Sequence, residues 1–319
     1  MADLRTLHPG EAVSFPRAPA GRPTTGIVST LWQEPAFRAG IVIVGIVFVG
    51  ALLAPFAAWL LGHGPTQQFR STALTEMGLP TGPRLDFPLG ADGNGRDVLV
   101  RTLYGARVSL AIALPATTLA LVIGTAVGLV SGFYAGRVDR VISQGIDIAL
   151  SFPFIVTALS LLSLNRGGDG RPLLAPSLVV VLIITLFSWT YFARLTRGLV
   201  LSMRTSPMVE AARTIGASNG RIILREILPN IAPVLLVYWA VQLPTNIIAE
   251  ATLSFLGVGV QAPQPSWGNM IAEAQRTSLY QVQPYFLLGP GLALLLTVAG
   301  FNTLSAGLRN VLDPRRQSR

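Results

Sequence analysis

The residues able to do chemistry are few, and their scarcity narrows what this chain can catalyse. No cysteine and no lysine occur in 319 residues, and the two histidines, His8 and His63, lie far apart. That excludes disulfides and cysteine-held metals, and two distant histidines do not suggest a metal site. A Walker A loop needs its phosphate-contacting lysine, so the chain cannot carry a standard ATP-hydrolysing P-loop. What remains is polar chemistry in unusual places. Gln242, Pro244, Thr245, Asn246 and Glu250 sit inside an otherwise apolar run. Polar groups at membrane depth are costly and face a bundle interior or an aqueous cavity, so Gln242, Asn246 and Glu250 are candidates for lining a translocation route. For Glu250 two readings stand: it lines or gates the route, or it makes a structural bond near one helix end.

The elements that must position these residues are membrane helices. With 51% apolar and 12% charged residues, and a mean hydropathy of +0.55, the chain has too little polar surface to cover a soluble globule of its size. Six runs, near 40–62, 109–133, 146–164, 176–194, 231–256 and 285–308, are long enough to cross a hydrocarbon core, which takes roughly 20 helical residues. The fold class is therefore all-α, a polytopic membrane protein with six transmembrane helices.

The organisation expected along the chain has four parts. Residues 1–38 read as a largely disordered cytoplasmic arm, and 39–108 as the first transmembrane helix with a long extracytoplasmic segment. Residues 109–308 are the core with five transmembrane helices and an inner loop at 195–230, and 309–319 form a cytoplasmic tail. The net charge of +9 is all arginine in origin. Sixteen arginines fall in the arm, the 134–145 loop, the 195–230 loop with Arg194 at its edge, and the tail, against eight in the outer segments. This bias places both termini inside.

Smaller features refine the picture. Trp32 and Phe37 suit an interfacial anchor. Gly124, Gly128 and Gly132 give the second span a small-residue face for close helix contact, and Pro153 can kink the third. Asp92, Arg96 and Asp97 can form local ion pairs among the turn-forming glycines at 90, 93 and 95. A helix is expected to end near Gly257, followed by a turn-rich outer segment anchored at the membrane surface by Trp267.

Between two apolar runs lies PMVEAARTIGASNGRIILREILP, Pro207 to Pro229. Ser206 and Pro207 provide a helix start, Gly216 a stop, Ser218 a second N-cap and Pro229 an end. The result is a short helix, a glycine turn and a second helix at a membrane face. A helix-turn-helix DNA reader shows a similar pattern, but the flanking spans would pin it against the bilayer. An amphipathic interfacial helix is the other alternative.

Glu210-Ala211-Ala212, then Gly216, then Leu228-Pro229, resembles the EAA loop of permease subunits of prokaryotic ABC importers. The stretch departs from that pattern at Glu226, where the family usually has isoleucine. The strings FPLGADGNGRDVLVRTLYGARVSL from Phe87, EATLSFLGVGVQAPQPSWGNMI from Glu250 and FNTLSAGLRNVLDPRR in the tail are similar to the dipeptide, oligopeptide and nickel branch, C-type subunit. The resemblance covers about residues 30 to 316 and implies the type I importer permease fold in a prokaryotic cytoplasmic (inner) membrane. It also implies that Glu210, Ala211, Ala212 and Gly216 couple the chain to an ATPase. The implied partners are a second homologous permease, two ABC ATPase domains, an extracytoplasmic substrate-binding protein and membrane lipid, with no nucleic acid. The chain itself would hold no cofactor, ATP and Mg being bound by the ATPase subunits, and would be a transport subunit for dipeptides or oligopeptides, not an enzyme. Nickel or another small solute is the alternative within the family. A secondary transporter driven by an ion gradient is the alternative outside it, although no inverted repeats are visible and an EAA-like loop has no role there.

The missing lysine yields a direct expectation. Purified free of partners, the chain should hydrolyse no ATP, and activity should appear only when ATPase subunits are added. Sustained hydrolysis by the isolated subunit would contradict it.

Overall fold

The computed structural model describes residues 27–165, 172–276, 278–281 and 283–312. The expectations for residues 1–26 and for the tail from 313 onward lie outside the described residues. In chain order the helices are α1 (Ile27–Gln33), α2 (Pro35–Leu61), α3 (Arg70–Ala73), α4 (Val98–Tyr134), α5 (Gly136–Ser151) and α6 (Phe154–Leu164). They continue with α7 (Pro176–Met203), α8 (Pro207–Thr214), α9 (Asn219–Arg221), a π-helical turn (Ile222–Ile227), α10 (Leu228–Phe255), α11 (Trp267–Arg276) and α12 (Tyr285–Leu312). Among the described residues no strand forms, and isolated bridges pair Leu74 with Pro80 and Ala91 with Asp97.

Five helices are long and apolar enough to cross a membrane, and the bent pair α5–α6 makes six if it counts as one span. The helices run well past the apolar runs. Val98–Tyr134 and Asn219–Phe255 each have 37 residues, about 55 Å of helix against a hydrocarbon core of roughly 30 Å. Their ends therefore project beyond the bilayer and carry the polar structure at each end of the bundle.

Several boundaries differ from the sequence reading. The last residues of the proposed disordered arm are helical, since α1 and the start of α2 occupy them. The proposed 134–145 loop is the first part of α5, a helix whose Asp139 carboxylate takes the Arg197 guanidinium (Nη2 to Oδ2, 2.7 Å) and also Ser131 Oγ at 2.5 Å. Gly136 starts that helix with φ +60. At Phe152 and Pro153 the chain turns by 81° between α5 and α6, a full break where a kink was expected. Pro229 does not end a helix either. The helix continues through it, with the wider π turn immediately before it and Leu228 N–H bonding to the Ile223 carbonyl. A proline near the start of a helical segment removes only one donor, and the altered bonding of the preceding turn accommodates that loss.

The strongest interhelical seam joins α4 to α7. Lipid is as apolar as leucine, so close backbone approach does the work that the hydrophobic effect does in water. A Cβ added at Gly124 would meet Trp189 O and Phe192, one at Gly128 would meet Thr196 and Ala193 O, and one at Gly132 would lie 2.7 Å from Val200 Cβ. The three glycines thus face one neighbour, as their spacing predicts. A second seam pairs α2 with α12, where Gly40 abuts Leu304, Gly300 abuts Ile43 and Gly307 abuts Phe37. The opposite face of α2, including Ile46 and Leu52, is open, as a lipid-facing surface would be.

The seam is testable by overfilling it. Gly128→Ala should destabilise the protein by about 1–3 kcal/mol, because the facing backbone has no room to move aside. Gly145→Ala, whose methyl meets nothing within 4 Å, should be neutral or stabilising, since alanine in a helix is better than glycine by roughly 0.5–1 kcal/mol. Thermal unfolding in detergent compares them, and equal shifts would contradict the assigned contact.

Candidate functional site

A cavity of about 400 Å³ opens between α6, α7 and α10, at the break between α5 and α6. Phe152, Pro153 and Phe154 form one wall, Ser188 and Tyr191 of α7 another, and Gln242, Thr245 and Asn246 of α10 the third. The break creates this space: if α5 ran straight into α6, no chain turn would stand away from α7 there.

The three polar residues expected along the route do not behave alike. Asn246 is a bridge. Its amide nitrogen donates to Thr117 Oγ1 of α4 at 2.8 Å, and its oxygen accepts from Ser188 Oγ of α7 at 2.8 Å. One side chain thereby ties three spans together, and its buried polar atoms are satisfied. Gln242 lies one turn earlier on the same wall, is 8% exposed, and has no hydrogen-bond partner among the described residues.

Glu250 is elsewhere. It is fully buried, accepts from Ser254 Oγ at 2.8 Å, sits among the hydroxyls of Ser109 and Ser266, and does not line this cavity. The segment after α10 folds back over it. Gly259 packs on Ser254 and Gly268 on Ala251, approaches that any side chain would block. The helix ends at Phe255, and Gly257 follows with φ +80, as the glycine there predicts. Trp267 is not a surface anchor. It is fully buried at the start of α11 and its indole N–H donates to Thr102 O of α4 at 3.1 Å.

Above this end of the bundle is an ion-pair cluster that the sequence disclosed only in part. Arg96 contacts Asp92 at 2.6 Å as expected, and also Glu273 of α11 at 2.6 Å. Arg101, fully buried, reaches Asp92 at 3.3 Å, Glu273 at 3.4 Å and the Pro65 carbonyl at 3.1 Å. Asp97 makes a different pair. Its carboxylate caps α4 by accepting from Val100 N at 3.0 Å and meets His63 Nδ1 at 2.8 Å. The imidazole stacks on Phe87 and meets Phe69 at a tilt, with ring centroids 4.5 and 4.4 Å away. Such buried charges are tolerable because each is paired or hydrogen-bonded. Nothing in the sequence marks Glu273 as the partner of Arg96, because 177 residues separate them.

The opposite end carries α8. Val209 and Ala212 are buried against Leu129, Phe133, Val200 and Ile222, so Ala212 faces the chain's own core and not an external cleft. Glu210, Ala211 and Gly216 are exposed, as are Met208 and Ile215. Ser206 makes no side-chain cap bond, so Pro207 alone marks the helix start. The end is a Schellman turn: Ala217 N–H bonds to Ala212 O at 3.0 Å, Gly216 N–H to Arg213 O at 2.9 Å, and Gly216 has φ +77. Ser218 caps the next helix as expected, accepting from Arg221 N at 3.4 Å. Among the described residues no group of acidic or histidine side chains is arranged to hold a metal.

A bundle of membrane helices with a partly polar cavity between its spans and an exposed helix on one end fits a membrane transport component. The family of binding-protein-dependent transport system inner membrane components matches residues 124–318, and the chain belongs to it. Among curated relatives, the dipeptide transport system permease protein DppC of Alkalihalophilus pseudofirmus is 37% identical, over 90% of this chain and 91% of its own length. The glutathione transport system permease protein GsiD of Pectobacterium atrosepticum is 34% identical, over 91% of this chain and 93% of its own. A solved inward-facing form of the MetNI methionine ABC transporter shares the fold at TM-score 0.50 and 20% identity, covering 65% of this chain and 95% of that one. The chain is thus a permease subunit of an ABC importer, a transport component and not an enzyme, and a multi-pass protein of the cytoplasmic membrane. Its family implies ATPase and substrate-binding partners.

Proposed function

We propose that this subunit forms half of the translocation route for dipeptides or oligopeptides, pairing with a second, homologous permease as a heterodimer. In this reading two ABC ATPase domains, which hold ATP and Mg, dock beneath the pair, and an extracytoplasmic binding protein delivers the solute. The relatives named for dipeptide and glutathione transport support a peptide solute. The arginine distribution supports an orientation with both termini and the 195–230 loop in the cytoplasm.

The observation that carries the coupling reading is the way α8 is mounted. Val209 and Ala212 fix it to the core while Glu210, Ala211 and Gly216 stand free on the outside. A helix held rigidly from behind and open in front transmits a push from a docked ATPase into α7 and α10. Ala211 and Gly216 permit close approach, Glu210 offers a carboxylate to a basic partner, and Ala212 belongs to the mounting. The cavity lined by Gln242 and Asn246 is then a section of the route, and Glu250 acts from outside its wall. Transport proceeds by alternating access as the ATPases close and the permeases rock against each other.

Uptake, solute-stimulated ATPase activity and copurification of subunits test this in the assembled transporter. Glu210→Ala should weaken docking by tenfold or more, because truncating one side of a desolvated charge pair costs roughly 2–5 kcal/mol. Gly216→Leu should weaken it through the backbone, since a positive φ at a non-glycine residue costs about 1–2 kcal/mol. In both, uptake and ATPase stimulation should fall together while the subunit remains inserted. If both variants match an exposed control, Glu76→Ala, in all three measurements, α8 is not the coupling element.

A further inference from the structure

Three polar side chains of the cavity wall, Tyr191, Gln242 and Thr245, make no hydrogen bond among the described residues, and of these Gln242 alone is buried. Asn246 and Ser188 satisfy each other, and Asn246 also satisfies itself on Thr117. Gln242 has no partner among the described residues although it is more than nine-tenths buried. An amide on a largely buried residue that finds no partner inside the protein is completed by whatever it faces, a ligand or water. Its position on the cavity wall makes the contents of the cavity that partner.

The chemistry of the wall says what kind of solute group suits it. Among the described residues no Asp, Glu, Arg, Lys or His lines the cavity, whose surface is otherwise the bridging Asn246 amide, hydroxyls, aromatic rings and aliphatic groups. A charged end of a solute would find no counter-charge there. A primary amide instead offers one acceptor and two donors in a single plane, which matches the N–H and C=O of a peptide bond. We infer that Gln242 is the specificity-determining contact of this section of the route, hydrogen-bonding the main-chain amide of the passing solute and ignoring both its charged ends and its side chains. This rests on the proposal that the cavity is part of a peptide route. It adds that selection here is for an uncharged donor–acceptor pair, which a metal ion does not present.

The experiment uses the complete transporter with its binding protein in proteoliposomes, and two probes: alanyl-alanine, and alanyl-sarcosine, whose methylated peptide nitrogen cannot donate. Gln242→Met and Gln242→Leu remove the amide while keeping most of the volume, and two variants are made so that failure of one to assemble leaves the other. For each probe the variant is compared with the wild type, so the binding protein's own preference cancels. Loss of the N–H contact should lower alanyl-alanine uptake about five-fold more than alanyl-sarcosine uptake, the size of one net hydrogen bond. Equal losses for the two probes, or no loss for either, would overturn the inference while leaving the peptide reading in place. If the wild type carries neither probe although its ATPases respond to a loaded binding protein, the peptide reading fails and the inference falls with it.

Discussion

Everything in this bundle depends on how closely α4 can approach α7. In hydrocarbon, apolar side chains gain nothing by leaving lipid for one another, so packing density and internal hydrogen bonds must hold the spans together. Gly124, Gly128 and Gly132 bring the α4 backbone against Phe192, Thr196 and Val200 of α7. That proximity lets one amide, Asn246 of α10, reach Thr117 on α4 and Ser188 on α7 at the same time. The polar bridge is a consequence of the glycine seam. So is the cavity beside it, since α6 diverges at Pro153 from a pair of helices already locked together.

The two ends of the locked pair are built for different tasks. At the α4 N-terminal end, four charged groups from distant parts of the chain, Asp92, Arg96, Arg101 and Glu273, fix α11 and the long 63–97 segment onto the helix. At the other end, Leu129, Phe133 and Val200 provide an apolar seat for Val209 and Ala212 of α8. Arg213 lies 5.8 Å from the Phe133 ring centre, adding a cation–π contact at the edge of that seat. One end is therefore a rigid cap stapled by ion pairs. The other presents a helix seated on residues of α4, α7 and α10, the mounting that the proposed coupling role requires.

The spans were legible because each is a long apolar run. The α4 seam was legible because three glycines recur at helical spacing, and Gly216 and Gly257 because a positive φ at a helix end needs glycine. Other features depend on tertiary partners that local sequence does not show. Residues 134–145 look like a charged loop until Arg197 neutralises Asp139 from another helix. Trp267 looks like an interfacial anchor, yet Gly105 of α4 leaves room for its indole ring in the core. Pro229 looks like a stop, but a π turn absorbs it. Among the candidate site residues, spacing singled out Gln242, Asn246 and Glu250 equally. Only their neighbours separate a satisfied bridge, a buried carboxyl among hydroxyls, and an amide open to a cavity. Ala211 and Ala212 are adjacent and identical in type, and helix geometry alone turns one outward and the other in.

The central claim is that the α8 end of the bundle faces the ATPases in the cytoplasm while the ion-paired end faces outward. Because the chain contains no cysteine, a single introduced thiol reports one position without background. Ser218→Cys lies just after α8, and Met77→Cys lies in the 63–97 segment where the native side chain is 88% exposed. Labelling intact cells with a membrane-impermeant thiol reagent should modify Met77→Cys and leave Ser218→Cys untouched until the membrane is permeabilised. Labelling of Ser218→Cys in intact cells, with Met77→Cys protected, would invert the topology and contradict the coupling account.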